Sequence, residues 1–262
     1  MSLSYFKNTL PIAPLKQTSG SILLFNAKSL DMRQYKVADY LSPFELQVIS
    51  RRKSPQAKQE YLATRLLLKY LLKSCFSEFA ATPLTAISSQ FDQASSKLQL
   101  HVNGRIINCC ISHSHGFVGA ALNPEQLPFG FDIEKISLQR PFAKLAKHFY
   151  HADEITLITA PTTALAQAQH FFRIWTLKEA LAKATSRPIA KLLSPNVFSE
   201  LTKAALVARS GNITAAAINN DMANAEQAQT ADFDISVVMQ QRAEWRCAVI
   251  GLTQLRRVIA FK

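Results

Sequence analysis

The order of helical and strand-like segments repeats along the chain with an offset of about 109 residues. "YLSPFELQVI" (40–49) begins with a helix-start signal, serine and proline followed by an acid, and "FYHADEITLI" (149–158) has a similar build. Each leads to a longer segment, 60–76 or 170–184, in which apolar residues recur at three-to-four spacing. The pattern predicts two long amphipathic helices in equivalent positions, and therefore two similar parts of one fold.

A strand-like run follows each of these long segments. "HGFVGAALN" (115–123) and "EWRCAVIGL" (244–252) are both aromatic-led runs of small and β-branched residues, which is typical of buried strands. The shared order predicts an α/β (α+β) fold in which two similar α/β halves are related by a pseudo-twofold arrangement. Ligands often bind where two such halves meet.

Two polar segments without periodicity separate these elements. "NPEQLP" (123–128) is turn-like, and we place the junction there, with an N-terminal α/β half at 1–125 and a C-terminal α/β half at 126–262. The polar, Ala- and Asn-rich segment 218–234 is interpreted as a surface loop between late strands, without a function of its own.

The charge of the chain indicates an anionic partner. The 262 residues carry a formal net charge of +12, and their 48% hydrophobic content is ample for a folded core. A positive surface of this kind attracts nucleic acid, a phosphorylated small molecule, a membrane surface or an acidic protein. Charge alone does not choose between them.

Neither the apolar segments nor the cysteines indicate export or membrane insertion. No apolar stretch is long enough to span a bilayer, and the N-terminal residues lack a signal-peptide core followed by a cleavage site. The four cysteines show no C-x-x-C spacing and are interpreted as reduced packing residues: Cys75, Cys109, Cys110 and Cys247. We therefore expect a cytoplasmic protein that does not bind membranes.

"FGFDIEKI" (129–136) has the apolar character of a strand but carries two carboxylates. Side chains two residues apart in a strand point to the same side, so Asp132 and Glu134 point together. Like charges this close repel, which indicates a divalent metal ion or a shared proton between them. The alternative is an edge strand with a hydrated polar face.

A mixed stripe runs along the second long helix. Trp175, Glu179 and Lys183 recur every four residues, which stacks an aromatic ring, an acid and a base on one side. A solvent-facing stripe rarely includes tryptophan. The alternative is an amphipathic helix with an ordinary surface pair between Glu179 and Lys183.

"NCCISHSHGFVG" (108–119) places hydroxyl and imidazole groups between two strand-like runs. Side chains such as Ser112 and His113 could donate hydrogen bonds to a phosphate there. The two histidines, at i and i+2, are also compatible with a weak metal site or with a purely structural role. The absence of a cysteine or carboxylate at ligand spacing argues against zinc.

Together these three segments are more specific than any one of them. A Ser-His pair, then G-x-D-x-E, then W-x-x-K-E-A-x-x-K resembles the 4'-phosphopantetheinyl transferase superfamily. The upstream segment 41–72 is similar to that family's first helical region, so the resemblance runs from about residue 40 to 185. It favours the larger, pseudo-duplicated, monomeric type that serves synthetases over the short trimeric type.

The resemblance implies the chemistry. Asp132, Glu134 and Glu179 would hold Mg²⁺, or Mn²⁺ in its place, and the ion would also bind the diphosphate of coenzyme A. A serine of an apo acyl carrier protein, or of the carrier domain of a fatty-acid, polyketide or nonribosomal peptide synthase, would attack the β-phosphate and release 3',5'-ADP. Oxygen ligands together with substrate phosphates suit magnesium.

The resemblance also implies individual roles. Glu179, Lys183 and Asp132 would be catalytic: Glu179 as metal ligand and general base, and Lys183 as the cation that stabilises the phosphate or leaving group, with Lys178 assisting. Trp175 would pack and fix the helix. The candidates for binding coenzyme A are Ser112, His113, Arg52, Lys58, Arg65, Lys97 and Lys183.

The sequence departs from the family pattern at two places. The Gly-Lys-Pro that often precedes the Ser-His motif is replaced by "SSKLQL", so Lys97 stands in for that lysine without the turn residues. The glycine-containing turn after the helix lysine is replaced by "KATSRPIAKLL", which predicts a stiffer loop.

Two other functions compete with transfer. A non-catalytic relative that binds coenzyme A would keep the site without the reaction. A basic nucleic-acid-binding protein would explain the net charge, but the site acids would repel phosphates unless a metal is bound, and no familiar reading helix is evident. We therefore expect no nucleic-acid partner.

Overall fold

The computed structural model describes residues 20–213, 233–240 and 245–259. The described residues form nine strands: β1 (Gly20–Asn26), β2 (Ser88–Asp92), β3 (Lys97–Val102), β4 (Arg105–Ser114), β5 (Phe117–Leu122), β6 (Phe129–Lys135), β7 (Leu206–Ile213), β8 (Phe233–Gln240) and β9 (Trp245–Val249). Their α-helices are α1 (Pro43–Ser50), α2 (Pro55–Cys75), α3 (Phe142–Phe149), α4 (Ala152–Thr159), α5 (Ala164–Thr185), α6 (Val197–Lys203) and α7 (Leu252–Ile259). No helix in these ranges is both long enough and apolar enough to cross a membrane.

The predicted helices and strands are confirmed. Both helix-start signals are capping boxes: Ser42 and Glu45 cap α1, and His151 and Glu154 cap α4. The two long periodic segments are α2 and α5. The D-x-E segment is β6, and the two aromatic-led runs are β5 and β9.

The chain divides into two compact units. In the first unit the sheet order is β2-β3-β4-β5-β1-β9, and α2 packs on it over a core of leucines. All neighbours are antiparallel except β1 and β9, which pair in parallel with Gly20 opposite Trp245. The indole lies where a side chain at residue 20 would be, so glycine is needed for this close approach.

In the second unit the sheet order is β6-β8-β7, entirely antiparallel. Helix α5 packs against β6 and β8, and its opposite side packs on α3, α4 and α6 around buried Phe171, Ile174 and Leu177. The D-x-E motif of β6 is therefore next to the residues of α5 and β8.

The boundary between the units differs from the expected halves at the C-terminus. The chain passes from the first unit to the second between Gln126 and Leu127, inside the turn-like segment 123–128. However, β9 and α7, which we expected in the C-terminal half 126–262, belong to the first unit because β9 completes its sheet beside β1. Most of the expected loop 218–234 lies outside the described residues, but Phe233 and Asp234 begin β8 and are not loop.

One ion pair occurs in both units at the same offset. Lys69 donates to the capping-box acid Glu45 (2.6 Å), and Lys178 contacts the capping-box acid Glu154 (2.9 Å), with all four side chains fully buried. Glu45 and Glu154 are separated by the repeat of about 109 residues seen in the sequence, and so are Lys69 and Lys178. The pairs support the similarity of the halves, but the sheets have six and three strands, so the duplication itself stays a prediction.

Candidate functional site

Gly130 lets β6 lie directly against α5. A Cβ at residue 130 would be 2.2 Å from the carbonyl oxygen of Ala180 and 2.6 Å from the amide nitrogen of Ala184. No side chain fits in that space, so the glycine of the G-x-D-x-E motif sets the distance between strand and helix. This approach brings Asp132 to the helix residues that follow Ala180.

Asp132 and Lys183 form the centre of the site. The Lys183 ammonium donates to Asp132 Oδ1 (2.7 Å) and to the carbonyl oxygen of Phe131 (3.2 Å). Asp132 is buried and Lys183 is half-buried. A charge-assisted hydrogen bond in partly dry surroundings fixes both side chains.

Glu179 shares this space with the two acids of β6. Burial raises the pKa of Glu179, and the charges of Asp132 and Glu134 raise it further, while Lys183 opposes them. Three carboxylates therefore act on one another here, as the spacing of the motifs predicts.

The sheet face that carries the two β6 acids is polar across its neighbour as well. Asp132 lies opposite Ser236 of β8, and Glu134 lies opposite Asp234. Directly paired residues of an antiparallel sheet project to the same face. This arrangement explains why a strand bears two acids on one side: that side meets a polar stripe of α5.

Arg173 supplies a positive charge beside the polar residues of β8. Its guanidinium donates to Asp234 Oδ1 (3.1 Å from Nε) and to Asn212, and Thr176 donates to Asp234 Oδ2 (2.8 Å). Thr176 also shares a hydrogen bond with Ser236 (2.7 Å). Burial raises the pKa of Asp234 to about 6, against the lowering effect of Arg173 and Thr176.

The donor chemistry of this polar layer fits a hard divalent cation. Its acids are Asp132, Glu134, Glu179 and Asp234, and its cations are Arg173 and Lys183. Four formal negative charges against two positive ones leave a deficit that one divalent ion would balance, with carboxylate oxygens as donors. Among the described residues no group of three or more His, Cys, Asp or Glu side chains is arranged to hold a metal ion. The ammonium of Lys183 holds Asp132 instead.

The Ser-His pair lies in the first unit, on β4. Ser112 is buried, whereas the side chain of His113 is 61% exposed, because successive residues of a strand face opposite sides. Nδ1 of His113 is 3.4 Å from a carboxylate oxygen of Glu60 on α2. The exposed imidazole can meet a ligand, whereas Ser112 lies on the other face.

The predicted basic residues of the first unit separate into two groups. Arg52 is exposed with its guanidinium 4.6 Å from the Tyr61 ring centre, and Lys58 is partly exposed in the first turn of α2. Lys97 begins β3, and burial lowers its pKa. These three side chains remain candidates for phosphate contacts.

Arg65 does not fit its predicted role. Its guanidinium is buried, donates to Ser89 (2.9 Å) and Thr64 (3.0 Å), and lies 4.0 Å from the Tyr61 ring centre. The guanidinium therefore makes its hydrogen bonds to Ser89 and Thr64 inside the first unit. A phosphate at the surface would have to compete with them.

Lys178 also has a structural role instead of the assisting role we expected. Besides Glu154, it donates to the carbonyl oxygens of Leu192, Leu193 and Pro195 (2.7–2.9 Å). All its donors are satisfied in the interior, so it anchors the segment after α5. Trp175 packs as expected: its ring stacks on Phe171, with the Arg140 guanidinium 5.2 Å from the indole centre.

Sequence reasoning missed Arg173 and Asp234. The signal was present in "FDISV", where Asp234 and Ser236 alternate with apolar residues as Asp132 and Glu134 do in β6. We assigned Asp234 to a loop because the polar segment before it has no periodicity.

The comparisons with known proteins agree with this geometry. Residues 128–249 match the family model of the 4'-phosphopantetheinyl transferase superfamily, a range that contains β6, α5 and β8. Over this range, which is slightly less than half of the chain, the sequence is similar to that superfamily. It is 29% identical over 169 residues to the 4'-phosphopantetheinyl transferase psf-1 of Bacillus pumilus, covering 63% of this chain and 67% of that protein. It is 35% identical over 77 residues to the 4'-phosphopantetheinyl transferase gsp of Aneurinibacillus migulanus, covering 29% of this chain and 30% of that protein.

The match to the family model and the similarity to these named transferases support an enzyme that moves the 4'-phosphopantetheine group of coenzyme A to a carrier protein. The non-catalytic and nucleic-acid-binding alternatives gain no support from the comparisons.

Proposed function

We propose that this transferase joins the 4'-phosphopantetheine of coenzyme A to a serine of an apo carrier protein at the polar layer between β6 and α5. The observation that carries the proposal is the cluster of Asp132, Glu179 and Lys183, in which strand and helix motifs meet in the second unit. Charged groups held by packed elements can stabilise charge that develops during phosphoryl transfer.

Asp132, Glu134 and Glu179 are the residues that would hold Mg²⁺ or Mn²⁺. When bound, the ion supplies charge neutralisation for the diphosphate of coenzyme A. The support for this role is the oxygen donor set and the negative charge balance of the layer.

In the transfer step, Glu179 accepts the proton of the carrier serine hydroxyl. The serine oxygen forms a bond to the β-phosphorus, and the bond from that phosphorus to the oxygen of the departing 3',5'-ADP breaks. Lys183, whose side chain is partly exposed, donates to the phosphate or leaving-group oxygens.

The basic side chains predicted to contact coenzyme A lie in the first unit and are exposed or partly exposed. His113, Arg52, Lys58 and Lys97 are proposed to contact its phosphates, and Arg65 is left out because its guanidinium is buried and donates to Ser89 and Thr64. Ser112 is retained only as the neighbour of His113 on β4. The carrier class (fatty-acid, polyketide or nonribosomal peptide), the monomeric state and the cytoplasmic location stay predictions.

The test of the proposal is the intact mass of apo carrier proteins incubated with the protein, coenzyme A and Mg²⁺. One added phosphopantetheinyl group per carrier identifies the reaction. Replacing Glu179→Gln or Asp132→Asn should slow transfer by about 10²-fold or more, because each change removes charge beside the reacting phosphates.

The matched control is Glu125→Gln, since Glu125 is exposed in the turn-like segment of the first unit. This variant should transfer at the wild-type rate. A folded Glu179→Gln protein with near-normal rates at saturating Mg²⁺ would remove Glu179 from the mechanism. No mass gain on any carrier with the wild-type protein would contradict the proposed function itself.

A further inference from the structure

The transfer mechanism assigns no step to the buried pair of Arg173 and Asp234. The Arg173 side chain is 7% exposed and that of Asp234 is fully buried, with Nη2 of Arg173 3.0 Å from Asp234 Oδ1. Arg173 also donates to Asn212, and Thr176 donates to Asp234. Burying two charges is costly, and a well-packed apolar pair of similar volume would often be at least as stable. The charges therefore call for another explanation.

Their position provides one. Asp234 lies directly opposite Glu134 in the β6–β8 register, and its carboxylate interacts electrostatically with Asp132. Arg173 precedes Thr176, Glu179 and Lys183 on α5, the helix that carries the rest of the site. The pair is thus part of the same polar layer.

Without compensation, two opposed acids would destabilise the sheet. Like charges directly opposite each other in an antiparallel pair repel. Arg173 neutralises the charge of Asp234. The net negative charge of the layer then comes from Asp132, Glu134 and Glu179. The pair also joins β8 to α5, and β8 is the strand that pairs with β6 at Glu134.

We propose that Arg173 and Asp234 are positioning residues that set the charge balance of the carboxylate site, and with it the affinity for a divalent cation. The inference rests on the proposed function, because it assumes that Asp132, Glu134 and Glu179 bind the ion. Neither residue of the pair touches the ion or the substrates.

The proposal makes different predictions for the two members of the pair. Asp234→Asn leaves Arg173 uncompensated and makes the layer less negative, so the cation binds more weakly. For one charge at roughly 10 Å from a divalent ion, with an effective dielectric constant of about 40, this change is about tenfold in Kd. Arg173→Met removes the cation that keeps the buried Asp234 ionised, so Asp234 takes up a proton and both charges are lost together. The charge of the layer is then unchanged, and Kd should stay near the wild-type value.

The experiment measures Mn²⁺ binding directly, by electron paramagnetic resonance of the free ion at pH 8, without coenzyme A or carrier. Arg173→Lys is the conservative control: it keeps the charge but loses the forked hydrogen bonds, so Kd should stay near the wild-type value even if stability falls. The double variant Arg173→Met/Asp234→Asn restores the charge balance and should also return Kd to near wild type.

A purely structural role gives a different outcome, in which both single variants weaken binding and the double variant is no better. That result overturns this inference while wild-type binding leaves the proposed metal site standing. A wild-type protein that binds no Mn²⁺ contradicts both. If Arg173→Met does not fold, Asp234→Asn and Arg173→Lys still decide, because a charge effect weakens binding in the first and not in the second.

Discussion

At the scale of single residues, the absence of a side chain at Gly130 is what allows β6 and α5 to pack so closely. The space for a Cβ is already filled by backbone atoms of Ala180 and Ala184, which cannot move without the helix. Gly130 is the second residue of β6 and does not lie in a turn. Its role is to bring Asp132 to Lys183.

Gly130→Ala should therefore affect both stability and transfer. The added methyl group must push α5 away from β6, which we expect to lower the free energy of unfolding by about 1–3 kcal/mol. The same displacement lengthens the contact between Asp132 and Lys183, so transfer should slow more than stability alone explains. Urea unfolding and the transfer rate at a temperature where the variant is folded are the two measurements.

Gly104→Ala is the control for this change. A Cβ at residue 104 meets nothing within 4 Å, but its φ of +75° is strained for alanine. We expect a loss of about 1 kcal/mol in the free energy of unfolding from the backbone alone, with the transfer rate unchanged. Equal effects of the two substitutions on transfer would show that the close approach at Gly130 has no role in the site.

The sequence predicted which residue types form the site, but not which basic residues are available to a ligand. Asp132, Glu134, Glu179 and Lys183 follow from spacing within single elements. Arg65 and Lys178 look like ligand-binding cations in the sequence. In the structure both are buried and contact residues distant in the chain, such as Ser89 and Glu154. Burial of a cation depends on tertiary contacts that spacing does not contain.

At the scale of elements, the end of α5 shows how the chain manages without the family's glycine turn. Ser186 follows the helix in a left-handed conformation, with φ +56° and ψ 29°. This is the C-terminal cap position at which glycine is most favourable. The loop that we expected to be stiffer thus keeps the backbone of a glycine turn with a side chain present.

Ser186→Gly should stabilise the protein. Removing the Cβ relieves the left-handed strain, which we expect to raise the free energy of unfolding by about 0.5–1 kcal/mol. Ser186→Val is the opposite control, because a β-branched residue is strongly disfavoured at positive φ. Thermal melts of both variants give the comparison, and a Ser186→Gly protein less stable than wild type would show that the Ser186 side chain has an important contact.

Caps and periodicity predicted α1, α2, α4 and α5 because these signals are local. The polar face of β8 was not predicted, since the strand follows directly on a polar segment that lacks periodicity. Its pairing with β6 joins residues about 100 positions apart. Only that register reveals that Asp234 lies opposite Glu134.

At the scale of the whole molecule, the sequence predicted two α/β parts but misplaced the last strand. β9 pairs in parallel with β1, so the two ends of the described chain meet in one sheet. A strand-like pattern indicates a strand and not its partner. The composition of 244–252 was therefore sufficient to predict β9, and insufficient to assign it to the first unit.

The net charge of +12 leads to a prediction about the carrier protein. The site layer itself is rich in acids, so the excess positive charge lies elsewhere and is available to attract an acidic carrier. Exposed charges are screened beyond roughly 8 Å at physiological ionic strength, so an attraction between surfaces weakens steeply with salt. Coenzyme A meets its binding groups at close range, where screening is smaller.

We therefore expect the apparent KM for the carrier to rise more steeply with salt than the Kd for coenzyme A. The carrier KM is measured at saturating coenzyme A, and the coenzyme A Kd by calorimetry, across one salt series in the same buffer. Comparing the two slopes removes general salt effects on the protein, because both measurements share them. A carrier KM that is flat, or that changes less than the coenzyme A Kd, would mean that apolar contacts dominate docking. In that case the positive charge of the chain would need an anionic partner other than the carrier.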